Sequence, residues 1–124
     1  MAEITKKIIR EKNLTIFTVT GVFSPVPVIE ALEEMYRTET TLNLIWDISA
    51  ADVSRVDDTQ VQQILNIAKQ YSSRRKNGKT AIVADKTLNF GMARMYEITA
   101  EVSDHPILHA VFINLEDAVE WLER

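Results

Sequence analysis

Five aspartates, Asp47, Asp52, Asp57, Asp58 and Asp85, form the densest set of chemistry-bearing side chains in the 124-residue chain. Paired carboxylates can hold Mg²⁺ or move protons. Asp47 and Asp85 end the apolar runs LNLIWD and KTAIVAD, a pattern that places them at the carboxyl edge of a sheet, where α/β proteins bind ligands. A plainer assignment gives each aspartate a local role, with Asp47 closing a loop, Asp57 or Asp58 capping a helix, and Asp85 accepting backbone hydrogen bonds. The residues favour this second assignment, because no base, nucleophile or Lys joins the pair. An EF-hand is excluded, since the loop from Asp47 lacks the Gly and the terminal Glu. Asn114 stands after the last strand, where a phosphoacceptor receiver domain requires Lys.

The remaining constellations exclude more than they select. His105 and His109 are four apart, but Pro106 puts His109 on a strand, where that separation is roughly 13 Å, too far to share an ion. His109 is expected as a hydrogen-bonded sheet residue and His105 as a turn residue. Only Gly21, Gly78 and Gly91 are glycines, so neither GxGxxG nor a P-loop can be written, and no GxSxG is present. Zero Cys removes disulfides, thiolate nucleophiles and Cys-ligated metals. Arg74, Arg75, Lys76 and Lys79 carry no interleaved aromatics and are read as the solvated end of a helix. A net charge of −4 disfavours binding to nucleic-acid phosphates or anionic lipid. No catalytic residue, metal ligand or cofactor is assigned, and neither nucleic acid nor membrane insertion is expected.

The elements that position these residues follow from hydrophobic period. Ile4 to Arg10 and Leu14 to Val22, joined by Glu11-Lys12-Asn13, predict an antiparallel hairpin. Ser24-Pro25 predicts a helix start, with Pro27 allowing the regular helix to begin a turn later, and Val28, Ala31, Leu32 and Met35 as its buried face. Leu42 to Ile48 reads as a central parallel strand. The loop from Ser49 to Val56 leads to a helix opening at Asp57-Asp58-Thr59, with Val61, Ile64, Leu65, Ala68 and Tyr71 inward. That helix is expected to close at Arg74 to Gly78, with Gly78 as its left-handed stop. Lys79 to Asp85 and Ile107 to Ile113 are the last strands, flanking a helix from about Asn89 to Val102. A helix from Asn114 follows, with Leu115, Ala118, Val119 and Leu122 inward. The expectation is one continuous α/β domain, ββαβαβαβα, with a mostly parallel five-stranded sheet, an antiparallel N-terminal hairpin and four helices. The N-terminus has no apolar core of signal-peptide length and no run reaches ~18 apolar residues, which predicts a soluble, cytoplasmic protein.

The third helix, NFGMARMYEITAEV, is apolar on two arcs. Leu88, Met92, Met95, Ile98 and Val102 share one, and Phe90, Ala93, Tyr96 and Ala100 share the other. One arc suffices for the sheet. Phe90, Ala93 and Tyr96, together with Trp121, are therefore expected to form a homodimer face. An alternative is a carrier of a small apolar, lipid-like ligand, with the Met-rich arc covering a cavity.

The element order, the segment LNLIWDISAADVSRVDDTQ and the ending INLEDAVEWL resemble the SpoIIAA-like, or STAS, family of anti-sigma factor antagonist domains over nearly the whole chain. FGMARMYE and DAVEWL look more like its STAS/SEC14-like bacterial branch, whose fold kin include lipid-transfer domains. The family carries Asp-Ser at the start of the helix after the strand–loop unit, and a partner kinase phosphorylates that Ser. By this resemblance Asp57 matches the family Asp, and Asp58 stands where the Ser would be, without the Gly that usually follows. The implied role is a non-enzymatic interaction domain, with Asp57, Asp58 and Thr59 as its partner-binding edge and no serine phosphoswitch.

Overall fold

The computed structural model describes residues 2–124. Strand β1 (Glu3–Ile9) runs into β2 (Leu14–Val22) through a short 3₁₀ turn, Arg10–Lys12, that Asn13 closes in the left-handed conformation. Helix α1 (Pro25–Arg37) follows, starting at Pro25 rather than a turn later. Then come β3 (Asn43–Asp47), β4 (Ala51–Asp52), α2 (Asp58–Gln70), β5 (Lys79–Val83), α3 (Thr87–Val102), β6 (Leu108–Phe112) and α4 (Leu115–Leu122). The sheet order is β1-β2-β3-β5-β6, antiparallel only between β1 and β2. This is the expected α/β architecture with one addition, the two-residue strand β4. It pairs in parallel with Gly21 and Val22, prolonging along β2 the ladder that β3 begins at Leu14.

Alternation along the strands divides the core. Phe17, Val19, Leu44 and Ile82 point to the face covered by α1, α2 and α3, whereas Leu14, Ile45, Ala81 and Val83 point to the face covered by α4. Phe17 stacks on Trp46 at 4.3 Å between ring centres, and Tyr36 of α1 stacks on Tyr71 at 4.9 Å. Val28, Leu32 and Met35 are buried as the period requires, with Tyr36 added and Ala31 only half-buried. Val61, Ile64 and Leu65 are the buried stripe of α2.

The end of α2 differs from its expected form. The helix stops at Gln70, and a 3₁₀ turn, Ser72–Arg75, carries the chain onward. Asn77, not Gly78, takes the left-handed backbone, at φ 69°. Gly78 is needed for a different reason, since a Cβ there would lie 2.2 Å from the Leu42 carbonyl oxygen. Arg75 is not a solvated cation but is buried, donating to the carbonyls of Leu42 and Lys79 and to the Thr80 hydroxyl. Its charge therefore ties the turn to the start of β5 instead of facing a partner.

Candidate functional site

The loop between β3 and α2 builds its edge from short local bonds. Asp47 Oδ1 accepts the Ser49 N–H at 3.0 Å, and Asp52 Oδ1 accepts both the Ser54 N–H and its hydroxyl. Those two bonds from Ser54 hold the Asp52 carboxyl below its ordinary pKa. Asp57 is the N-cap of α2: its Oδ1 accepts the Gln60 N–H at 2.9 Å while Gln60 Oε1 accepts the Asp57 N–H, closing a capping box. Asp58 and Thr59 occupy the first turn, both exposed, with neither side chain in a hydrogen bond or ion pair among the described residues. The structure thus brings Asp57, Asp58 and Thr59 together at one surface, but divides their roles. Asp57 serves the helix, and Asp58 and Thr59 face solvent at the positive end of the macrodipole.

Asn89, which sequence reasoning missed, fixes that loop from behind. It is buried on α3 and donates to the carbonyls of Ile48 and Ala51 at 2.7 and 2.9 Å. A polar residue among the apolar positions of NFGMARMYE was the available signal. Asp85 at the neighbouring strand end is exposed and makes no hydrogen bond among the described residues, so it does not share the local role found for Asp47. Among the described residues, no group of three or more His, Asp or Glu side chains is placed to hold a metal.

The expected dimer face is corrected. Ala93 is fully buried, and Phe90 and Tyr96 pack with it against the sheet core. Of the other arc, Leu88, Ile98 and Val102 are exposed at 59%, 49% and 79%, while Met92 and Met95 are half-buried and pack against the core. Trp121 belongs to α4 on the opposite side of the sheet, packed on Phe112 with the Lys79 ammonium 5.0 Å from its ring centre. It cannot share a surface with Tyr96. Ala93 seats α3 against the sheet core and Ala100 seats it against Val61 and Leu65 of α2, with Phe90 and Tyr96 filling the space beside them.

The two histidines also meet, contrary to the strand-spacing expectation. Asp104 takes the left-handed conformation at φ 56° and turns the chain back, bringing the rings to 4.9 Å, edge to face. His105 Nδ1 accepts the Ile107 N–H, and His109 Nδ1 pairs with the Ile107 carbonyl. His109 is buried, as a hydrogen-bonded sheet residue, with Tyr96 tilted over it at 5.5 Å. Burial pushes both imidazoles down to about 4; Lys69 and Arg75 add to this at His105, and the His105 charge adds to it at His109. The pair is therefore neutral at pH 7. His105 Nε2 is left as a buried polar atom with no partner among the described residues.

Beneath α3 an apolar cavity of about 50 Å³ is lined by Trp46, Ile48, Ile82, Met92, Ala93 and Tyr96, among others. Burial raises the Tyr96 phenol well above its usual pKa, so it stays protonated. A drug-sized ligand needs ~300–1,000 Å³, so this space does not take a lipid chain. No helix among the described residues is long and apolar enough to cross a membrane.

Neither a family model nor a curated protein matches the chain. Solved structures do. One is an uncharacterised protein of the DUF3478 family with a SpoIIAA-like fold from Shewanella loihica PV-4, with a TM-score of 0.63 and 16% identity over 98% of this chain and 93% of that one. Another is an anti-sigma factor antagonist from Mycobacterium paratuberculosis, with a TM-score of 0.64 and 15% identity over 100% of this chain and 96% of that one. With its N-terminal antiparallel hairpin, its otherwise parallel sheet and its four helices, the chain has the SpoIIAA-like fold of STAS domains.

Proposed function

We propose that this chain is a cytoplasmic, non-enzymatic STAS-like regulatory domain that binds a protein partner through the N-terminal edge of α2. The observation that carries the reading is the pair Asp58 and Thr59, exposed at the first turn of α2 and unengaged within the described fold. Asp57 completes the cap without them, so these two side chains are free for an external contact. The anti-sigma factor antagonist of the same fold supports a protein as the partner. Asp58 presents permanently the negative charge that a phosphorylated Ser would present only intermittently. A phosphate on Thr59 would add about −1.5 to −2 charges beside two carboxylates, a repulsive placement, and Thr59 is expected to stay unmodified.

The test captures host proteins on immobilised wild type and on an Asp58→Lys variant, alongside phosphopeptide mapping of the native protein. The expected outcome is a partner retained by the wild type and lost by Asp58→Lys, with Thr59 unphosphorylated. Equal retention by both forms removes α2 from the contact, and substantial phosphate on Thr59 overturns the constitutive reading.

A further inference from the structure

The outward face of α3 is an apolar seam with a fixed period. Leu88, Gly91, Met95, Ile98 and Val102 recur at intervals of three and four, the a/d spacing of a coiled-coil stripe. Leu88, Gly91, Ile98 and Val102 are exposed and Met95 is half-buried. Three of these are among the seven large exposed apolar side chains of the described residues, so one helix concentrates much of that surface.

We propose that α3 pairs with α3 of a second copy of this chain, antiparallel about a two-fold axis between Met95 and Ile98. Two observations select that occupant and that direction. The first is shape. An antiparallel alignment with Met95 opposite Ile98 of the second copy also sets Val102 opposite Gly91. Val102 is the most exposed large apolar side chain among the described residues, and the place a Cβ on Gly91 would occupy has nothing within 4 Å. Each copy thus directs its most prominent knob at the one position of the other that lacks a side chain.

The second is charge. Arg94 and Glu101, both exposed, lie seven apart on one border of the seam, while Met92 and Thr99 on the other border are neutral. Antiparallel pairing brings like borders together, so Arg94 of each copy meets Glu101 of the other, twice by symmetry. Parallel pairing would set each charged border against the neutral one. Arg94 also holds Glu97 within its own helix, and its guanidinium has enough donors to serve both carboxylates.

The chain has no Cys, which makes the alignment directly testable. Sedimentation velocity of the wild type at high micromolar concentration is expected to show twice the chain mass, and Ile98→Glu the mass of one chain, with an unchanged circular dichroism spectrum. Arg94→Glu is expected to loosen the dimer about tenfold, and Arg94→Glu combined with Glu101→Arg to restore it. Under mild oxidation a mixture of Gly91→Cys and Val102→Cys chains is expected to form the mixed disulfide in preference to either homodimer. A monomeric wild type, failure of the charge swap to restore association, or a dominant Gly91→Cys homodimer each overturns the proposal.

Discussion

The two ends of α2 use polar side chains in opposite ways. At its start Asp57, Asp58 and Thr59 lie at the surface, and the only side-chain bonds they make among the described residues close the helix's own cap. Beyond its end Arg75 is buried, with bonds reaching back to Leu42 and forward to Lys79 and Thr80. The His105–His109 pair lies close by, with His109 beside Thr80 on the neighbouring strand; His109 is buried and His105 half-buried, and both are held by backbone. A polar group that spans separate segments in the interior belongs to the fold, and its removal strands several partners. A polar group on the surface that bonds only its own turn leaves its neighbours available for recognition.

The contrast is broken most severely at Arg75. Arg75→Met takes this donor from one buried and two part-buried acceptors and is expected to destabilise the protein by about 2–4 kcal/mol. Urea unfolding measures this; a loss below about 1 kcal/mol would mean that water replaces the guanidinium and that the two ends are energetically alike.

Acid probes the same end reversibly. The imidazoles are pushed down to about 4 in the folded protein, against an ordinary value of 6.5. The unfolded chain therefore binds more protons between these values. Stability present above pH 6.5 is lost as pH falls towards 4, by about 2–3 kcal/mol, carried mainly by His109 because the more exposed His105 is screened by solvent. Unfolding curves between pH 7 and 5, above the carboxylate range, should show this slope in the wild type and a reduced slope in His109→Phe. A flat wild-type profile would remove the histidine pair from the stability balance.

At the surface end effects are smaller and separable. Asp57→Ala removes the cap and is expected to cost about 1 kcal/mol. Asp58→Ala removes only a charge near the macrodipole, worth about 0.3–1 kcal/mol. Thermal unfolding at low and high salt distinguishes them: the Asp58 effect should shrink with salt and the Asp57 effect should persist. If the two substitutions cost the same at both salts, Asp58 has a structural role that its exposure does not reveal.

Much of this was legible in the residues. The strands LNLIWD and KTAIVAD, the stripe Val61, Ile64 and Leu65, and a cap at Asp57 or Asp58 all follow from local period and local chemistry, and the structure chose Asp57. The candidate edge Asp57, Asp58 and Thr59 came from the family resemblance; local chemistry accounts only for its cap, since a capping box is closed within four residues. Asn89 was not, because its partners Ile48 and Ala51 are some forty positions away and nothing in its neighbours names them.

The sequence by itself determined the order of the elements and which strands are covered on both faces, because backbone hydrogen bonding and side-chain alternation repeat every few residues. Only the tertiary structure decided which of the two apolar arcs of α3 turns inward. Both arcs are apolar, and the choice rests on packing: Ala93 seats against the sheet core and Ala100 against Val61 and Leu65 of α2, leaving Leu88, Ile98 and Val102 outside. It likewise decided that Arg75 is interior and that His105 reaches His109. Burial of a charge and closure of a turn depend on distant segments that supply the carbonyls and the walls.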